Sequence, residues 1–473
     1  MCTITILVYL SICAFFSKSF PREVPRMPIQ QVQDKILSDR QLAFSDSFFP
    51  RDFSYALVPG FAVVLVGAYG VGKTSFLRKE MQALVQKGIP KEKLCYLSFF
   101  GLEDETVSFS QIEKAYYSLY PDFDHDPDVY FFLDEIQNVQ FWGEGISRIM
   151  DMHHCHVIVS GSSARYLSVD IATELRGRSI SYRFHPLSFR EFARFQQNVI
   201  SFQEAYSESE KNRLTSLYQC YLERGSYPAL ALIEDKETRK IILSTYFDLS
   251  YSKDSIDRYE VSKSMMLKKL MRRLVKISGF PFTVRKLVHF LESEGFKTSE
   301  ATVSSYIDLI TNTCFFLPVP IYGNEKKQKA NAQKLYTIDH TMAVLFREFD
   351  PATGIKLEHA VLGDLYRQSQ EIFSYRTKTN REIDFVVTDE DKHPLLLVQV
   401  TDDLEESLGR ERESTREGMK ELGMKDAYMV TQTVEADEEV EEGIIHIIPA
   451  WRFSLALPTI LKRAKESQTG SLV

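Results

Sequence analysis

Between residues 56 and 186, short apolar runs alternate with stretches whose apolar residues recur every three or four positions. The runs lie at 61–66, 94–99, 129–133, 157–160 and 180–184. The run at 129–133 is apolar throughout, as a strand buried on both faces requires. Strands alternating with helices predict a parallel sheet covered by helices on both sides. From 188 to about 279 the period turns helical, and Leu267, Leu270, Met271, Leu274 and Val275 mark one apolar stripe. Residues 282–319 read as a winged helix-turn-helix. One short helix begins at Thr283, Gly295 makes the turn, and Thr298 or Ser299 caps the next helix. The basic stretch 326–334 reads as its wing. From 342 the pattern is mixed: Glu358 falls on a helix, 381–387 and 395–401 are strands, and acidic 435–442 is a solvated loop.

Chemistry enters at the end of the first run. Gly67, Ala68, Tyr69, Gly70, Val71, Gly72, Lys73 and Thr74 have the spacing G-x-x-x-x-G-K-[ST], and Ser75 opens a helical stretch. Placed between a strand and a helix, this spacing predicts a phosphate-binding loop. Its backbone N–H groups would face a polyphosphate at the positive end of the helix. Lys73 would reach the β- and γ-phosphates and Thr74 would hold Mg²⁺. The third run ends in Asp134-Glu135. Asp134 would hold the metal through water, and Glu135 would polarise an attacking water. Ser160 or Ser162, after the fourth run, would sense the γ-phosphate or cap a helix. Arg176 or Arg178 would contact phosphate, within the chain or across a subunit boundary, or is a plain surface arginine.

Composition narrows the setting. With 473 residues, 44% hydrophobic and 26% charged, the chain has the makeup of a multidomain globular protein. A formal net charge of -8 gives no general affinity for nucleic acid. Lys268, Lys269, Arg272, Arg273 and Lys276 form the most basic helix face, either a solvated surface or a local DNA phosphate contact. The six cysteines form no C-x-x-C pair, which fits a reducing cytoplasm. His153, His154, Cys155 and His156 are adjacent, and neighbours on a strand cannot all converge on one ion. The apolar stretch 4–16 is short for a bilayer and lacks a preceding basic residue, so no membrane association is expected and Met27 is a candidate start.

The phosphate loop, Leu133-Asp134-Glu135-Ile136-Gln137, Ser160-Gly161-Ser162-Ser163, Leu175-Arg176-Gly177-Arg178 and Pro186-Leu187-Ser188-Phe189-Arg190-Glu191-Phe192 occur in that order. Together they resemble a prokaryotic family of AAA-type ATP-binding proteins, related to archaeal ATPases. The resemblance implies ATP with Mg²⁺, an α/β fold built on a P-loop NTPase parallel sheet, a helical lid, the winged-helix-like module and a C-terminal α/β nuclease-like domain. The corresponding divisions are 1–45 (extension and lead-in helix), 46–190 (ATPase core), 191–280 (lid), 281–340 (winged-helix-like) and 341–473 (restriction-endonuclease-like).

Glu358 and Glu382-Ile383-Asp384-Phe385 carry the nuclease resemblance, with Glu358 and Asp384 as the acids. The slot for Glu-x-Lys reads Gln399-Val400-Thr401. Gln399 is a neutral ligand and Thr401 supplies no cation, so this centre is expected to be degenerate and not to cut DNA. The expected activity is ATP hydrolysis driving a conformational switch. The alternatives are a nucleotide-gated scaffold with an unknown protein partner, or an ATP-dependent nuclease.

Overall fold

The computed structural model describes residues 27–46, 48–100, 107–139, 141–162, 175, 177–255, 261–323, 333–347, 353–369, 371–401 and 405–470. Helix α1 (Ile29–Ala43) leads into the first sheet and lies against β2 (Leu94–Ser98) and α3 (Phe109–Leu119). Strand β1 (Ala62–Val66) is buried at every position, and so is β3 (Tyr130–Asp134). With β4 (His156–Gly161) and β5 (Ser179–Arg183) they form a five-stranded sheet, ordered β2-β3-β4-β1-β5. All neighbouring pairs are parallel. In register, Leu65 lies beside Ser160 and Leu133 beside Val159, so the carboxyl ends of β1, β3 and β4 finish side by side. Helices α2 (Lys73–Gln86) and α4 (Trp142–His153) belong to the same layered unit.

A helical segment follows: α5 (Phe189–Phe195), α6 (Glu208–Arg224), α7 (Pro228–Ala231), α8 (Lys236–Ser255) and α9 (Val261–Lys276). Ser188 starts α5 with a reciprocal cap, its hydroxyl accepting from the Glu191 N–H while Glu191 accepts from the Ser188 N–H. Next come α10 (Val284–Ser293), capped by Thr283, and α11 (Glu300–Thr311), capped by Ser299. The antiparallel pair β6 (Phe316–Val319) and β7 (Lys334–Thr337) completes this unit.

The C-terminal part has α12 (Thr353–Gln368), β8 (Ile372–Arg376), β9 (Glu382–Thr388), β10 (Pro394–Val400), α13 (Glu405–Leu422), β11 (Asp426–Thr431), β12 (Ala436–Val440), β13 (Gly443–Pro449) and α14 (Ala450–Gly470). Its six-stranded mixed sheet is ordered β12-β13-β11-β10-β9-β8. Ile383, Leu397, Ala427 and Met429 join Met419 of α13 in one apolar cluster, while Phe385, Leu396 and Val398 face the larger core shared with α12 and α14.

Two expectations change here. The acidic stretch 435–442 is not a loop, because Ala436–Val440 pairs with β13 at the sheet edge. Its charges find partners: Asp437 with His446 at 2.7 Å and Glu438 with Arg412 at 2.9 Å. Charged residues on an edge strand also discourage pairing with another chain. Lys334 is not part of an exposed wing but a buried position of β7. The rest of that wing, 326–332, and residues 1–26 lie outside the described residues. No helix among the described residues is long and apolar enough to cross a membrane.

Candidate functional site

The loop 67–74 joins β1 to α2 at the carboxyl end of the first sheet. Gly67 leaves no room for a side chain, since a Cβ would collide with the Phe184 carbonyl. Gly70 and Gly72 have φ of +82° and +97°, a region that L side chains resist. Gly72 is the residue before the first turn of α2, so the amide end of that helix opens toward the loop. Lys73 is buried, and its Nζ donates to the carbonyls of Gly67 at 2.8 Å and Ala68 at 3.2 Å. Arg51, from the segment before β1, braces the loop from outside: Nη1 donates to the Val71 carbonyl at 2.9 Å.

Strand β3 delivers Asp134 beside this loop. Thr74 Oγ1 donates to Asp134 Oδ2 at 2.6 Å, Tyr96 OH donates to the same oxygen at 3.3 Å, and Ser160 donates to Oδ1. Burial pushes the Asp134 carboxyl above its ordinary range, and Glu135 adds to this. The Ser160 and Thr74 hydroxyls and the Lys73 ammonium pull the other way without prevailing. A buried carboxylate so placed, beside a threonine hydroxyl, offers the hard oxygen ligands that suit Mg²⁺.

Glu135 follows with φ +57°, an uncommon conformation for a residue with a Cβ. Its N–H donates to Ser160 Oγ at 3.2 Å, and its carboxylate lies 4.0 Å from Lys73 Nζ. Gln137 Nε2 donates both to Glu135 Oε2 and, at 3.1 Å, to Ser162 Oγ. The turn after β3 therefore ties the acid to the end of β4. Gln137 stands in the motif that carries the resemblance, but the contacts it makes come from folding back over two residues and are not given by spacing.

Lys73, Thr74, Asp134, Glu135, Ser160 and Ser162 thus meet at one place. Ser160 is fully buried and committed to Asp134 and Glu135, which makes it a positioning residue; Ser162 faces the small cavity beside Glu135. That cavity is about 10 Å³ and is also walled by Tyr69, Phe100, Leu249, Ser250 and Thr313. Tyr246 of α8 lies against the loop, with rings 5.7 Å from Tyr69 and 4.9 Å from Tyr227, and a Cβ on Gly70 would meet it at 2.7 Å.

Arg178 does not join this site. It precedes β5, its carbonyl accepts from the Ala62 N–H, and its side chain pairs with Asp151. It therefore sits at the amino end of the parallel strands, opposite the loop, and cannot reach a phosphate there from within the same chain. Arg176 lies outside the described residues. The basic face of α9 is engaged within the chain: Lys268 pairs with Asp248 at 3.0 Å, Lys269 with Glu294 at 2.6 Å, and Arg272 and Arg273 lie over Phe346 and Phe290. Lys276 is exposed. His153 ends α4 with its ring nitrogens against Asp124 and Glu113, His154 is left-handed, and His156 starts β4, so the four adjacent residues diverge.

The second cluster holds a surprise. Lys334 Nζ lies 2.5 Å from Glu382 Oε1, 3.5 Å from Glu358 Oε1 and 3.8 Å from Asp384 Oδ1. Tyr336 OH donates to Glu358 at 2.6 Å. Thr401 supplies no cation here, and the ammonium that does lie among the acids comes from β7 instead. Burial alone would lower the Lys334 pKa, but Tyr336 and the three acids hold it well above its usual value. Asp384 is raised by burial and then by Glu358, despite Lys334. Gln399 accepts from the Asp384 N–H at 3.2 Å and donates to Glu411 at 2.9 Å, while Thr401 is buried nearby on the strand exit.

Residues 60–193 match the model of an AAA domain, and residues 215–353 match a domain of unknown function. An uncharacterised protein of Methanocaldococcus jannaschii is 27% identical over 434 residues, covering 89% of this chain and 95% of its own. An uncharacterised protein of Haemophilus influenzae is 28% identical over 374 residues, covering 78% and 87%. Among solved structures, the Aeropyrum pernix ORC2 protein with ADPNP and ADP aligns over 67% of this chain and 92% of its own, at 11% identity and a TM-score of 0.35. Likeness of that degree decides nothing about what this chain binds.

Proposed function

We propose that the AAA domain binds Mg·ATP on loop 67–75 and hydrolyses it slowly, and that the cycle moves the helical lid against the rest of the chain. The supporting observation is the convergence of Lys73, Thr74, Asp134 and Glu135 within one network. Bound Mg²⁺ would neutralise phosphate charge. Lys73 would leave its loop carbonyls for the β- and γ-phosphates, and Thr74 with Asp134 would hold the metal. Glu135, held by Gln137, would orient water for in-line attack, with Ser162 beside it. Turnover is slow in this reading because no described arginine lines the cavity beside Glu135; a partner would have to bring one.

The test is phosphate release by the purified protein, compared with Lys73→Ala and Glu135→Gln. The expected result is release in wild type that drops about a hundredfold or more in both variants. Equal release in all three removes the enzyme.

A second reading is a nucleotide-gated switch with negligible turnover. The seating of Tyr246 on Gly70 favours it, since the lid couples directly to the loop. Nucleotide that changes partner affinity without phosphate release would select it. The divisions 191–280, 281–340 and 341–473 are read as lid, winged-helix-like module and nuclease-like module. The last is read as inactive, because an ammonium occupies the middle of the acids and Gln399 is neutral. Metal-dependent DNA cutting abolished by Asp384→Ala would sink that reading. DNA contact through α9 would involve Lys268, Lys269, Arg272, Arg273 and Lys276, of which all but Lys268 are exposed, and cytoplasmic residence accords with the cysteine pattern.

A further inference from the structure

A cavity of about 700 Å³ lies between the first sheet and the C-terminal helices. Its walls are the segment before β1, the end of β5 with the chain leading into α5, and parts of α12 and α14. The size is that of a small-molecule pocket. No residue of loop 67–74 lines it.

Four arginines border this space: Arg51, Arg183, Arg190 and Arg367. Two are already committed. Arg51 pairs with Glu191 at 2.8 Å and Arg367 with Asp364 at 3.0 Å. Arg183 and Arg190 have no ion-pair partner among the described residues. In addition, the Nε atoms of Arg190 and Arg367 are buried with no hydrogen-bond partner. A buried donor left unmade is costly, and such groups are rare unless a ligand or water meets them. Guanidinium groups fit phosphate oxygens in pairs, which makes phosphate the matching chemistry. Three carboxylates line the space too, each already paired with an arginine: Asp52 with Arg194, Glu191 with Arg51 and Asp364 with Arg367. At the same wall the His185 pKa is lowered to about 3, first by burial and then by Arg367, Arg183 and Arg51.

We propose that this cavity is a second binding site, separate from the phosphate loop, for a small phosphorylated anion held by Arg183 and Arg190. Arg51 gives the site a route to the loop, because the residue that lines the cavity also donates to the Val71 carbonyl. The ligand would also touch α12 and α14, and so would bridge the AAA domain and the C-terminal part.

Inorganic pyrophosphate is the probe, titrated by calorimetry into the full chain carrying Lys73→Ala. Saturable binding is expected to remain there. Adding Arg183→Gln and Arg190→Gln should weaken it about tenfold or more, the loss of two charge-assisted contacts. Arg183→Lys, which keeps the charge but not the paired geometry, should fall between. The two Gln substitutions alone should leave Mg·ATP affinity within about twofold. No saturable pyrophosphate binding to the Lys73→Ala protein, or binding indifferent to the arginines in folded variants, overturns the proposal. A parallel loss of Mg·ATP affinity in the arginine variant would make the cavity part of the nucleotide site and overturn its separateness. Because the Lys73 arm is independent, failure here leaves the nucleotide reading standing.

Discussion

Lys73 is an ammonium that has exchanged water for two carbonyls of its own loop. Such bonds replace protein–water ones, so the net contribution of each is modest, about 1.5–3 kcal/mol for a charged donor. Glu135 is held differently, by a left-handed backbone, a bond to Ser160 and one to Gln137. Backbone strain of this kind persists only where the surroundings over-determine it, as these bonds do. Lys334 is the clearest case of a side chain that decides its surroundings. Lys334→Met would leave Glu358, Glu382 and Asp384 facing one another, at a cost of about 3 kcal/mol. The sign with pH follows from the acids. Asp384, already raised by burial and Glu358, would lose the Lys334 charge that opposes this, so the folded variant takes up a proton there and regains stability as pH falls. Urea unfolding at pH 8 and pH 5 should show the gap to wild type narrowing at the lower pH; a constant gap would contradict the role of Lys334. The loop and Asp134-Glu135 were legible because their chemistry depends on short spacing. Lys334 was not, because its cation reaches the acids through tertiary contact between β7, α12 and β9.

At the scale of elements, α8 matters most. Tyr246 seats it on the loop, and the space beside Glu135 holds about 10 Å³, room for at most one water. On the proposed reading, a triphosphate seated there would require this helix to move. If Tyr246→Ala removes about 1.4 kcal/mol of closure, the open fraction rises about tenfold, and Mg·ATP association speeds up accordingly. Stopped-flow binding checks this; an unchanged or slower rate would show that α8 does not gate the loop. The alternation of strands and helices up to residue 186 was readable, because buried parallel strands announce themselves as apolar runs. Strand β12 was not. Its acidic residues look like a solvated loop, and pairing with β13 is a non-local fact. The fate of the basic face of α9 was equally hidden, since Asp248 and Glu294 come from other helices.

Across the whole molecule, the units are joined by buried polar contacts. His359 of α12 is one such joint. Its Nδ1 lies 2.8 Å from the Ile355 carbonyl, and its Nε2 lies 2.7 Å from Ser278 Oγ, which also accepts from the Thr337 N–H. Burial lowers its pKa to about 3 from an ordinary 6.5. The unfolded chain therefore binds a proton that the folded chain excludes. That contribution is complete above pH 6.5 and is lost as pH falls toward 3, by up to about 1.4 kcal/mol per unit. Unfolding free energies at pH 7 and pH 5.5 should show this slope in wild type and a shallower one in His359→Gln; equal slopes would contradict the assignment. The cavity between the first sheet and α12 and α14 was not readable in the sequence, because its walls come from four segments spread from Arg51 to Pro458. The central claim rests on the loop at Lys73. Equilibrium titration of Mg·ATP against wild type and Lys73→Ala tests it most directly. Saturable binding that weakens at least about tenfold in the variant is the expected result. Equal affinity in both proteins, or no saturable binding to wild type, would contradict it.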